Sequence, residues 1–143
     1  MTSQLPVNTF DWRLTNRHVV KAVLDNMKPY KAQRHDLIPP PAVKASSGSI
    51  AKHFSDLVNT IVAKSQVPDI WKHGQVTPHH KKESVLDKKN FRPVTVLPAF
   101  AKVFEKIIHM QMTKHFESIF HDYMFAYREF HGCPAALLTL TED

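Results

Sequence analysis

Gln75-Val76-Thr77-Pro78 and, after a polar interval, Phe91-Arg92-Pro93-Val94-Thr95-Val96-Leu97 are the stretches that decide how this 143-residue chain folds. Both are short and rich in Val and Thr, the composition of β-strands. Residues 79–90 between them are polar and lysine-rich, as the loop of a β-hairpin is. A proline inside each run marks edge or irregular strands, because proline cannot donate to a ladder.

Helical patterns flank this hairpin. Upstream, Thr15 can cap a helix whose apolar positions Val19, Val20, Val23, Leu24 and Met27 form one stripe, and Pro29 stops it. Asp36-Leu37-Ile38-Pro39-Pro40-Pro41 reads as extended, polyproline-like chain. Ser46, Ser47 or Ser49 can open a second helix carrying Ile50, Phe54, Leu57, Val58, Ile61 and Val62, with Pro68 marking its end. Downstream of Pro98 comes the strongest helical register: Phe100, Val103, Phe104, Ile107, Ile108, Met112, Phe116 and Ile119. Residues 135–140 can begin another helix. The expected fold is α+β, mostly helical, with one two-stranded hairpin.

Charge is unevenly spread. The chain carries 19 Lys and Arg against 13 Asp and Glu, a formal net charge of +6. Between residues 72 and 92, six cations (Lys72, Lys81, Lys82, Lys88, Lys89 and Arg92) face two acids, Glu83 and Asp87. Lysine and arginine on a hairpin suit phosphate contacts, although a merely solvated loop has the same composition. One cysteine excludes an intramolecular disulfide. The first ten residues lack the apolar run of a signal peptide, and no 18 apolar residues run together. These features predict an intracellular, non-secreted protein that does not span a membrane. His79, His80, His109, His115, His131 and Cys133 lack the spacing of a zinc site. Cys133 has no patterned partner for nucleophilic catalysis. Phosphate-binding glycine motifs are absent, the acids are scattered, and there is no Asp-Asp pair.

Four blocks in order resemble the fingers region of non-LTR retrotransposon reverse transcriptases, which are RNA-directed DNA polymerases. They are Pro68-Asp69-Ile70-Trp71-Lys72, Val76-Thr77-Pro78-His79-His80-Lys81-Lys82, Asn90-Phe91-Arg92-Pro93-Val94-Thr95 and Lys102-Val103-Phe104-Glu105-Lys106-Ile107. They are similar to the family's P-x-x-W-K, V-x-P-x-x-K-K, N-[YF]-R-P-[IV]-[ST] and K-[IV]-[FL]-E-[KR]-[IV] motifs. Asp36-Leu37-Ile38-Pro39 is similar to G-x-D-G-I-P, and Phe125-Ala126-Tyr127-Arg128 to Q-x-[GA]-[FY]-R. Departures occur at Arg34 and Leu37, where the pattern has glycines, and at Met124, where it has Gln. The family's R-K-G-x-S-T reads Arg128-Glu129-Phe130-His131-Gly132-Cys133 here, followed by Pro134.

The resemblance implies a partial right-hand polymerase fingers subdomain, with RNA template, DNA and dNTP as partners. It assigns triphosphate contact to Lys82 or its neighbour Lys81 and to Arg92, and template contact to Arg128. Trp71 is expected as a core anchor beneath the hairpin. The family's catalytic carboxylates, which hold Mg²⁺ in the full-length enzymes, lie in a palm strand and a [YF]-x-D-D turn. This sequence ends at Thr141-Glu142-Asp143, ahead of both. The expectation is therefore a truncated protein with no catalytic residue and no cofactor of its own, inactive alone and lacking palm and thumb. Its expected parts are a poorly ordered N-terminus at 1–14, a helical extension at 15–70, the basic fingers hairpin at 71–98, and the long helix with the next fingers segment at 99–143. Alternatives are a small basic RNA- or DNA-binding protein without catalysis, and a helical interaction module. Without a palm to pack on, the 100–119 stripe is expected to leave apolar surface exposed.

Overall fold

A computed structural model describes residues 9–28, 36–121, 123–126, 128 and 131–142. The elements are α1 (Arg17–Asp25), α2 (Pro40–Ala45), α3 (Ser47–Lys64), α4 (Asp69–Lys72), β1 (Gln75–His80), β2 (Phe91–Val96), α5 (Ala99–Glu117) and α6 (Cys133–Glu142). They fall into two compact units, one of Arg13–Ile108 and one of Met1–Trp12 with His109–Asp143. Residues 1–8 of the expected N-terminal tail lie outside the described residues, as do Pro29, Arg34, Tyr127 and Phe130.

In the first unit α1 and α2 pack on α3. Val20 and Leu24 from α1, Val43 from α2, and Ala51, Phe54, Val58 and Ile61 from α3 are buried, as are Ala99, Ala101, Val103 and Ile107 of α5. Asn16, not Thr15, caps α1: its side-chain oxygen accepts from the amides of His18 and Val19 at 3.0 and 3.1 Å. Thr15 is instead clasped through its backbone by Asn59 of α3, whose amide group bonds the Thr15 N–H at 2.9 Å and the Thr15 carbonyl at 3.0 Å. The Thr15 hydroxyl is buried without a partner among the described residues.

The three prolines divide their work. Leu37 takes φ 55° and Pro39 is extended, but Pro40 and Pro41 open α2. A helix's first turn has no intrahelical use for those N–H groups, and proline's fixed φ suits it. The extended reading of 36–41 therefore holds at Pro39 and fails at Leu37, which is left-handed, and at Pro40 and Pro41, which are helical. None of Ser46, Ser47 and Ser49 makes a side-chain cap for α3. Ser46 donates back to the Ala42 and Val43 carbonyls, and Ser47 donates to Asp25 at 2.6 Å. Asp25 also takes Lys21 at 2.5 Å, and these two donors, Lys21 first, hold its carboxyl below the usual range. α3 ends at Ser65, which adopts φ 52° while the Gln66 amide reaches back to the Ile61 carbonyl at 3.2 Å. That six-residue closure in a left-handed residue is a Schellman ending.

Beyond it, Phe54, Trp71, Phe100 and Phe104 form a ring cluster joining α3, α4 and α5. Phe54 lies 5.4 Å from Phe100 and 5.8 Å from Trp71, and Trp71 lies 5.7 Å from Phe104. Trp71 is half-buried here as a packing residue at the base of the hairpin.

In the second unit, Phe10 meets His115 edge-on and Phe116 stacks on Phe120. Met110, Met112, Phe116, Ile119, Tyr123, Met124, Leu137 and Leu138 are exposed. Pro134 lies in the first turn of α6, where it costs no hydrogen bond. No helix among the described residues is long and apolar enough to cross a membrane.

Candidate functional site

The hairpin is antiparallel, pairing Gln75 with Val96, Val76 with Thr95, Thr77 with Val94, Pro78 with Pro93, His79 with Arg92 and His80 with Phe91. The ladder continues one step: the Lys81 amide donates to the Asn90 carbonyl at 2.8 Å. That bond fixes the parity of the whole sheet, because bonded and non-bonded pairs alternate. Counting back from Lys81 and Asn90, Pro78 and Pro93 face each other at a non-bonded pair, where neither needs an N–H. Two prolines thus sit within a regular hairpin without losing a ladder bond. Gly74, just before β1, sits so close to Thr95 that an added Cβ would collide with the threonine methyl.

The loop is held by its own polar groups. Glu83 takes φ 63°. The Asn90 amide group donates to the Ser84 carbonyl at 2.8 Å, the Leu86 N–H to the Ser84 hydroxyl at 3.2 Å, and the Lys89 N–H to the Asp87 carboxylate at 2.9 Å. These short-range side-chain bonds are why Ser, Asp and Asn organise turns.

Alternation assigns the side chains to faces. Thr77, His79 and Lys81 share one face with Asn90, Arg92 and Val94. His80 and Phe91 share the other, and their rings lie 5.3 Å apart. Lys81 and Arg92 are therefore diagonal neighbours on one face, whereas Lys82 lies past the ladder where the chain bends. The resemblance left Lys81 and Lys82 as alternatives, and the register places Lys81 beside Arg92. Every β1 residue is exposed, and β2 is half-buried only at its ends.

Of the six cations in this region, Lys72 alone is paired among the described residues, to Asp69 at 2.7 Å. That ammonium is the main reason the Asp69 carboxyl lies below its usual range. Among the described residues, Lys81, Lys82, Lys88, Lys89 and Arg92 make no side-chain hydrogen bond or ion pair. They are exposed cations without internal partners.

Arg128 is in the opposite situation. Its Nε and Nη2 donate to Glu117 Oε1 at 3.0 and 2.8 Å, and its Nη1 donates to the carbonyls of His121 and Met124 at 3.2 and 3.3 Å. Its guanidinium stands 5.9 Å over the Phe120 ring, and its side chain is 10% exposed. It ties the end of α5 to the segment that follows. Among the described residues no group of three or more His, Cys, Asp or Glu is placed to hold a metal ion. Cys133 is exposed and free.

No family model matches the chain. A comparison with curated proteins finds a probable RNA-directed DNA polymerase from transposon X-element of Drosophila melanogaster, 28% identical over 115 residues. A relationship to reverse transcriptases is thereby supported. The match takes in 78% of this chain and 13% of that protein, so this reverse-transcriptase-like chain spans a small part of its relative's length. What the relative's name describes is RNA-directed DNA synthesis by the whole polymerase.

Proposed function

We propose that the chain is a fingers-type segment of a retrotransposon-derived reverse-transcriptase-like protein, and that its hairpin holds the phosphates of nucleic acid or an incoming dNTP. The observation that carries this reading is the set of five exposed, internally unpartnered cations, with Lys81 and Arg92 diagonal on one face of a regular hairpin. Flexible lysine and forked arginine neutralise phosphoryl oxygens without any proton transfer. The similarity to the transposon polymerase supports the choice of ligand. Leu37 adds to it: where the resembled pattern has glycine, the backbone holds the left-handed conformation that glycine favours.

Catalysis is not part of the role. The side chains named hold and orient phosphate, and nucleotidyl transfer belongs to carboxylate-bound metal elsewhere in such enzymes. Arg128, held by Glu117 and two backbone carbonyls, serves the second unit as a structural tie.

Binding of single-stranded RNA by the full chain, titrated across a salt series, tests the proposal. The wild-type affinity falls with rising salt, and the double variant Lys81→Ala, Arg92→Ala flattens the log–log slope by about 1.4, two contacts at about 0.7 each. Absence of binding at low salt, or an unchanged slope in the double variant, sinks it.

A further inference from the structure

We propose that His79 is a third phosphate ligand on the hairpin, forming with Lys81 and Arg92 a one-sided cradle for the phosphodiester backbone of single-stranded nucleic acid. Its grip tightens as the imidazole gains a proton. The inference rests on the phosphate-binding reading above and adds to it a residue and a pH dependence.

Register carries the argument. His79 stands directly opposite Arg92. Lys81, two residues further along the same strand, returns to the same face and continues the ladder through its bond to Asn90. Directly paired Cβ atoms in such a sheet are about 4.5–5.5 Å apart and diagonal neighbours about 7–8 Å, so one phosphate group lies within reach of all three side chains. The adjacent His80 makes the contrast. It sits on the other face, its ring packs 5.3 Å from Phe91, and its Nε2 lies 3.0 Å from the Glu83 carbonyl. His79 is exposed, and its imidazole has no hydrogen-bond or ring partner among the described residues.

The groups around His79 make the protonation readable. Arg92 faces it across the ladder and Lys81 lies beside it; Thr77, Val94 and Asn90 are its uncharged neighbours on that face. The loop acids Glu83 and Asp87 lie beyond the ladder, and the Asp87 carboxylate accepts the Lys89 N–H. Histidine changes charge between about pH 5 and 8, a range in which lysine and arginine stay cationic. Neutral imidazole offers one N–H and the cation offers two. An anion seated against the ring favours the charged form, so binding takes up a proton and affinity rises as pH falls.

The test uses fluorescence anisotropy with the full chain and an oligothymidylate lacking terminal phosphates, whose phosphodiesters and bases keep one charge state across this range. Wild-type protein binds about two- to fivefold more tightly at the acidic end of the histidine range than at the alkaline end, the size of one exposed charge pair. His80→Gln keeps that tightening and His79→Gln loses it, with circular dichroism confirming that both fold alike. A His79→Gln protein that tightens as much as wild type overturns the inference. Wild-type binding that is independent of pH overturns the role of His79 and leaves the phosphate reading standing. No binding at either pH overturns both.

Discussion

Leu37 holds φ 55° with its side chain 70% exposed, so it bears the steric penalty of left-handed backbone and gains little burial in return. That penalty is about 1–2 kcal/mol for a residue with a Cβ, and glycine escapes it. Leu37→Gly is expected to raise stability by about 0.5–1 kcal/mol, part of the relief being offset by glycine's freer unfolded chain. Urea denaturation checks this, and a lower midpoint refutes it. Single residues also mark what sequence alone leaves hidden. Thr15 and Asn16 are both cap-forming residue types, Asn the stronger, and Asn59, 44 residues away, claims the Thr15 backbone. Likewise Ser65 ends α3 in a conformation that composition assigns to glycine or asparagine.

Among the elements, the hairpin and the apolar faces of α3 and α5 were legible because their periods of two and 3.6 are written in Val, Thr, Ile and Phe. α2 was not, because a run of prolines reads as extended chain until its second and third members are seen to open a helix. The ring cluster is what couples these pieces. Phe54 is its hub, buried on α3 and touching Trp71 and Phe100. Phe54→Ala should cost about 3–5 kcal/mol, the range for a buried aromatic truncated in a packed core. The same change should alter Trp71 fluorescence, because the indole loses its neighbour. A loss below 1 kcal/mol with unchanged emission would mean that the cluster is not a core. The candidate site was half legible: Lys81, Lys82 and Arg92 stand out as residue types. Which lysine shares a face with Arg92 depends on strand parity, and parity depends on one backbone bond beyond the strand.

At the scale of the whole molecule, the two units differ in how their apolar side chains are used. The first buries most of its helical stripes, with Val19 and Leu57 left exposed, whereas the second leaves Met112 and Phe116 of α5, Ile119 just beyond it, and Leu137 and Leu138 of α6 exposed. Two carboxyls of the first unit make its stability sensitive to acid. The carboxyls of Asp25 and Asp69 are held below their ordinary value of 3.8, mainly by Lys21 and Lys72 respectively. A carboxyl lowered on folding adds stability above its unfolded value, and that gain fades as pH falls through the folded one. Thermal melts should therefore show stability lost below about pH 4, and the paired variant Asp25→Asn, Asp69→Asn should lose less over that interval than wild type. Equal acid losses in the two proteins would assign the effect to other groups.

The facing prolines of the hairpin have a consequence for its outer edges. At a non-bonded pair the backbone N–H and C=O groups point away from the partner strand, toward whatever might add alongside. With Pro78 on one edge and Pro93 on the other, each flank of this exposed, Val- and Thr-rich ribbon lacks a donor near its middle. A third strand arriving on either side would find its hydrogen-bond row interrupted. The same two residues that leave the ladder intact thus keep it at two strands, so the hairpin can remain solvent-facing without recruiting a neighbouring chain into a growing sheet.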